Sequence, residues 1–193
     1  MSNKLSDIVS VVHEYKIDLS KKQTWIEGEI DEVQADRLSK NLSILDSNQS
    51  NKPITIILSS DGGDVNQGLR MYNLIRNCKN YVRIIVEGKA ESMASIILQA
   101  ADERVMLEDS HLMIHIGVEG FAVDHPDNVE RWKKKAEEDN KRTEDIYLKR
   151  IKQKKKRFTR NELKELLRFD TILSPKQAIE LGLADRIETC EKN

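Results

Sequence analysis

Cysteine is scarce in this chain of 193 residues: Cys78 and Cys190 are the only two, too few for a disulfide framework and not spaced as a CxxC metal motif. That fits a reducing compartment. No apolar run reaches about 18 residues, so no membrane-spanning helix is expected. Nothing at the N-terminus combines a basic stretch, an apolar stretch and a cleavage site, which leads to an expectation of a soluble, cytoplasmic protein. Charge of one sign is also missing. With 32 Lys and Arg against 33 Asp and Glu the net charge is −1, which argues against a general polyanion binder. Aromatics are only 5%, and no repeat, linker or low-complexity tract divides the chain. What remains is one expected domain, 34% charged, with enough length for a sizeable core.

Apolar spacing alternates between strand and helix. Residues 23–29 read as a strand, and Asp31–Leu45 as a helix with Val33, Leu38, Leu42 and Leu45 at helical spacing. Pro53–Leu58 reads as a buried strand cut off by Ser59-Ser60-Asp61-Gly62-Gly63. A helix follows over Val65–Cys78 with Val65, Leu69, Tyr72 and Ile75 on one face, then a strand over Tyr81–Val86 that Gly88 ends. Ser92–Ala101 reads as a helix, and Arg104–Leu107 and His111–Ile116 as strands. Repeated strand–helix units imply a largely parallel sheet with crossover helices, an α/β fold. Residues 127–156 read as one long exposed helix, whose stripe of Val129, Trp132, Ala136, Thr143, Tyr147 and Ile151 needs a partner. Thr159 with Glu162 and Ser174 with Gln177 read as capping boxes, and Gly182 as a helix C-cap.

Three segments carry chemistry. Gly62-Gly63 can bring backbone N–H groups close to a ligand, Ser92 opens a helix after a strand and turn, and His115 ends an apolar strand. A serine nucleophile needs an exposed hydroxyl, a base within reach and two donors for the oxyanion. Ser92, His115 and the N–H groups of Gly63 and Met93 are candidates for those parts. The plainer alternative makes Ser92 a helix N-cap, Gly62-Gly63 a turn and His115 a core residue. A metal reading of His111 and His115 fails on spacing, because four residues along a strand separate them by roughly 13 Å. Asp102, Asp109 and Asp170 all remain open as the partner of the histidine. The basic run Lys149–Arg157 lacks interleaved aromatics, so it reads as a charged helix end and not as a nucleic-acid surface.

The Gly62-Gly63 loop, Gly88-x-Ala90-x-Ser92-Met93-Ala94, Met113-Ile114-His115 and Leu173-Ser174 through Gly182-Leu183-Ala184-Asp185 together resemble the proteolytic subunit of the Clp protease, over about residues 25–188. The resemblance implies a fold of the ClpP/crotonase type, repeated β-β-α units with a long projecting handle helix, in a single domain over 23–193 (handle region about 117–156) that follows a divergent segment at 1–22. It implies a serine endopeptidase, a homo-oligomeric heptameric ring that can stack as a tetradecamer, a peptide or unfolded protein substrate, and no cofactor. It singles out Ser92 as nucleophile, His115 as base and Asp170 as the third residue. It also raises an AAA+ unfoldase as partner. The chain departs from that pattern at Asp61, Glu91 and Phe169, and at Thr55 and Ile57, where the family's docking clefts carry tyrosines. Alternatives are a phage-type processing peptidase without an ATPase, a crotonase-fold acyl-CoA enzyme and a catalytically silent scaffold.

Overall fold

The computed structural model describes residues 12–47, 52–117 and 126–189. Residues 1–11, the part of the handle region at 118–125, and Cys190 lie outside them. Eight strands form one sheet: β1 (Ile17–Asp18), β2 (Gln23–Ile30), β3 (Ile54–Gly63), β4 (Val82–Glu91), β5 (Glu103–Leu107), β6 (His111–Ile114), β7 (Thr171–Leu173) and β8 (Arg186–Glu188). The order is β1-β2-β3-β4-β5-β8, with β6 joining β4 and β7 joining β6. Pairing is parallel except at β1–β2 and β6–β7. The helices are α1 (Glu32–Leu45), α2 (Val65–Arg76), α3 (Met93–Leu98), α4 (Pro126–Lys154), α5 (Arg160–Leu167) and α6 (Pro175–Leu181). This is the mixed α/β architecture expected.

Two strands run further than their composition suggests. The Ser-Ser-Asp-Gly-Gly stretch does not cut β3 short, because a bulge in the pairing lets Gly62 and Gly63 stay in register with Glu29 and Ile30. Gly88 likewise does not end β4. Beyond it Lys89, Ala90 and Glu91 leave β5 and pair with β6 instead. The apolar run at 54–58 is not buried on both faces either. Ile54, Ile56 and Leu58 are fully buried while Thr55 and Ile57 between them are half-buried on the opposite face.

Helix faces show smaller corrections. In α1 the buried positions are Ala35, Leu38, Asn41, Leu42 and Leu45, and Val33 is exposed. In α2 Gly68, Met71 and Ile75 are fully buried, with Val65, Leu69 and Tyr72 at the edge of the same core. Both capping boxes form as read, and Gly182 takes the left-handed conformation of a C-cap at φ +89°.

Helix α4 divides into two halves. Tyr147 and Ile151 are buried, whereas Trp132 is exposed and no side chain from Asp127 to Glu138 is fully buried. So the C-terminal half belongs to the core and only the N-terminal half projects. Two cations of the basic run have structural work. Arg150 donates from Nε and Nη2 to the Gln99 carbonyl and from Nη2 to that of Ala101, closing the C-terminal end of α3, and Lys154 donates to the Ile179 carbonyl in α6. Among the described residues no helix is long and apolar enough to cross a membrane.

Candidate active site

The parallel strands β3 and β4 end beside each other, and β6 ends next to β4. Clefts outside the carboxyl ends of parallel strands are where α/β sheets place ligands. Ser92 stands between the last residue of β4 and the first of α3. Its backbone lies at φ +50° and ψ −121°, a conformation costing a non-glycine residue about 1–3 kcal/mol. Its N–H donates to the Met113 carbonyl at 3.0 Å, pinning the bend to β6. The plain N-cap reading of Ser92 does not hold, for its side chain makes no capping hydrogen bond. The hydroxyl instead lies 2.7 Å from Nε2 of His115.

His115 follows β6 directly, and the next residue is fastened to α5 by Ile116 N–H donating to the Leu167 carbonyl at 3.0 Å. The antiparallel pairing of β6 and β7 sets Leu112 against Leu173, Met113 against Ile172 and Ile114 against Thr171. Carrying that register one residue further sets His115 opposite Asp170. Accordingly Nδ1 of His115 lies 3.0 Å from Oδ1 of Asp170. Asp102, by contrast, accepts the Val82 N–H at 2.9 Å and caps the start of β4. The line Ser92–His115–Asp170 is continuous, with the imidazole 26% and the carboxylate 70% exposed.

Gly62 makes the close approach. At φ +96°, a Cβ there would sit 2.8 Å from both the Glu91 carbonyl and Ser92 Cβ, and 3.0 Å from the Met93 nitrogen. Gly63 is equally restricted but by a different neighbour, since its Cβ would fall 2.4 Å from the Ile30 carbonyl. Gly62 thus lies against the first amide of α3, where helix N–H groups lack intrahelical partners, while Gly63 lies against β2.

Comparison with known proteins identifies the family. The family model described as Clp protease matches residues 8–191. The chain belongs to the Clp protease family. It is 31% identical over 160 residues to the ATP-dependent Clp protease proteolytic subunit of Deinococcus radiodurans, covering 82% of this chain and 76% of that one. It is 32% identical over 127 residues to proteolytic subunit 2 of Treponema denticola, covering 63% and 62%. Among solved structures, a point mutant of ClpP1 from Listeria monocytogenes superposes with a TM-score of 0.77 at 25% identity, covering 89% of this chain and 93% of that one. The protein is therefore a Clp-type serine peptidase with the ClpP fold.

Three features of the site were not visible in the residues alone. Glu91 accepts no contact from His115. Its carboxylate lies 2.6 Å from Nε2 of His111, one strand away. Tyr147 of α4 is fully buried and reaches Ser95 Oγ at 2.5 Å, while the Ser95 hydroxyl donates to the Ser92 carbonyl at 2.6 Å. A single chain of hydrogen bonds thus ties the handle helix to the backbone of the serine. Third, Trp25 stands in register beside Ile57, and Ile57 beside Ile85, so an aromatic does flank one of the two positions expected to lack it.

Proposed function

We propose that this chain hydrolyses peptide bonds as an endopeptidase with Ser92 as nucleophile, His115 as general base and acid, and Asp170 orienting the imidazole. The observation that carries the reading is the unbroken line of two hydrogen bonds from Ser92 Oγ to the Asp170 carboxylate. Attack forms the bond between Ser92 Oγ and the substrate carbonyl carbon as His115 Nε2 takes the hydroxyl proton. The N–H groups of Gly63 and Met93 hold the resulting oxyanion. His115 then returns its proton to the leaving amine, and water repeats the sequence on the acyl-enzyme. No cofactor enters any step.

The same reading includes a ring of identical chains. Support comes from the projecting half of α4, where Trp132 and most of its neighbours are exposed, and from exposed Phe169 just before β7 and Ile172 within it. An AAA+ unfoldase is less well supported, since Thr55 and Ile57 offer little anchoring area. Labelling with a serine-directed fluorophosphonate tests the chemistry. Wild-type protein should label at Ser92 and Ser92→Ala should not. A folded wild-type chain that resists the reagent refutes the peptidase reading and favours a silent scaffold.

A further inference from the structure

The carbonyl of Ser92 is held twice by one residue. Ser95 donates to it from its backbone N–H at 3.0 Å and from its hydroxyl at 2.6 Å. A hydroxyl has one proton to give. With the Ser95 proton committed to Ser92, the 2.5 Å contact between Ser95 Oγ and the Tyr147 hydroxyl takes its proton from Tyr147. The relay therefore has one direction, from the phenol of α4 to Ser95 and on to the Ser92 carbonyl. Ser95 and Tyr147 are 0% and 1% exposed, so water has no access to replace either link. Burial also pushes the Tyr147 pKa up, which keeps the phenol protonated and donating.

What the relay holds is one end of a peptide plane. The Ser92 carbonyl and the Met93 N–H belong to the same unit, and in a trans peptide they point in opposite directions. Drawing the carbonyl along α3 toward Ser95 turns the N–H back toward Gly62, whose missing side chain leaves space beside the Met93 nitrogen. As the first residue of α3, Met93 has no intrahelical acceptor for that N–H. Hydrogen bonds in a chain polarise one another, so the bonds on the carbonyl also make the N–H a stronger donor.

Resting on the serine-peptidase reading, we propose that Ser95 and Tyr147 are positioning residues for the oxyanion. They fix the Ser92–Met93 peptide plane, and so aim and strengthen the Met93 N–H, without touching substrate. Losing an oxyanion donor outright costs about 100- to 1000-fold. Ser95→Ala keeps the backbone N–H on the carbonyl, so it loosens the donor without deleting it and should cost about tenfold. Tyr147→Phe removes the polarising bond alone and should cost about threefold. Because Tyr147 acts through Ser95, the double variant should react no more slowly than Ser95→Ala. Stability should follow a different order. Ser95→Ala strands a buried phenol, whereas removing both partners is nearly neutral. The double variant should thus regain melting temperature while staying slow.

The test measures the rate of labelling by a rhodamine-tagged alkyl fluorophosphonate, whose phosphoryl oxygen enters the oxyanion site. It uses the full wild-type chain and the three variants, with melting curves in parallel. Hydrolysis of succinyl-Ala-Ala-Ala-aminomethylcoumarin runs alongside, and kcat should fall by the same factors with KM unchanged. Wild-type rates in folded Ser95→Ala and Tyr147→Phe overturn the positioning role and leave the peptidase standing. Additive losses in the double variant, or rates that follow melting temperature, also overturn it. A folded wild-type chain that does not label overturns the peptidase reading and this inference with it. If Ser95→Ala folds poorly, Tyr147→Phe decides the matter, since an unchanged labelling rate in that folded variant refutes the relay.

Discussion

Replacing Asp170 by asparagine removes a charge and turns an acceptor into a group that also donates. The carboxylate lies 3.0 Å from Nδ1 of His115 and is 70% exposed. Attraction between an imidazolium and a carboxylate about 4 Å apart ranges from about 1 kcal/mol in water to about 4 kcal/mol at an effective dielectric of 20. Such exposure puts the value in the lower half, at about 2 kcal/mol, or roughly thirtyfold in rate. The tautomer adds to this. An asparagine amide donating to Nδ1 leaves the imidazole proton on Nε2, where it cannot accept from Ser92. Reversing that costs about one hydrogen bond, ~1 kcal/mol, a further factor of roughly five. Asp170→Asn should therefore lose about 150-fold in kcat, well short of the ~10,000-fold seen where the triad carboxylate is buried. Asp170→Ala, which enforces no tautomer, should lose only about thirtyfold. Steady-state hydrolysis of a short fluorogenic peptide by both variants, at one pH and with melting curves as a folding control, measures the two numbers. Near-normal turnover of Asp170→Asn would remove Asp170 from the site. Equal losses in the two variants would refute the tautomer argument.

Other outcomes follow from the same geometry. Ser92→Ala deletes one oxygen and should abolish hydrolysis while moving the melting temperature by no more than a degree or two, as calorimetry would show. Arg104 is 5% exposed and bound to Asp185, Gln99 and the Gly182 carbonyl, so Asp185→Asn strands a buried guanidinium. Asp185 is 38% exposed, which scales the usual ~3–5 kcal/mol down to about 2 kcal/mol, some 4–8 °C in melting temperature. Burial alone would raise the Asp185 pKa, but the Arg104 guanidinium and N–H outweigh it and hold the carboxyl below its ordinary value. That stabilisation is present above the unfolded-state pKa near 4 and is lost as pH falls through the lower folded value; urea titrations across pH 2–5 should show a shallower acid loss in Asp185→Asn. Phe169 is 71% exposed under the Arg168 guanidinium, 5.5 Å away, where the family commonly has an arginine joining rings. Light scattering should therefore find single rings or a double ring that dissociates with salt, and a strict monomer would exclude the ring. Losing two docking aromatics at about 2 kcal/mol each costs roughly a thousandfold in affinity, and Trp25 beside Ile57 restores one at most. A Clp ATPase with ATP should then speed degradation of a folded, tagged substrate only slightly, and rapid degradation would show the docking face intact.

Local signals carried the reading as far as local causes reach. The two capping boxes, the Gly182 cap and the strand–helix alternation depend on neighbours in sequence, and each stands where its residues indicate. Strand ends failed where pairing overrode composition. Gly62, Gly63 and Gly88 look like terminators, yet bulged parallel pairings of β2 with β3 and β3 with β4 keep them in the sheet. Ser92 and His115 stood out because a serine opening a small-residue helix and a histidine ending an apolar strand are unusual positions. Nothing local separated Asp170 from Asp102 or Asp109. That choice came from resemblance, and its physical basis is the β6–β7 register, a pairing of segments more than fifty residues apart. Glu91 was equally undecidable, because its effect depended on direction. The carboxylate meets His111 and so stands apart from the imidazole that faces Ser92.

The strained bend at Ser92 explains why these distant residues converge. A serine at φ +50° persists only where its surroundings over-determine it. Here β6 holds its N–H, Ser95 holds its carbonyl, and the absent side chain of Gly62 leaves room for its Cβ. Gly68 does the same for the next residue, since a Cβ there would strike the Met93 side chain. Tyr147 completes the arrangement from a helix fifty residues on. Each constraint acts on the serine's backbone or on its neighbour and leaves the hydroxyl free to meet His115. The bend is thus fixed by parts that take no share in moving protons.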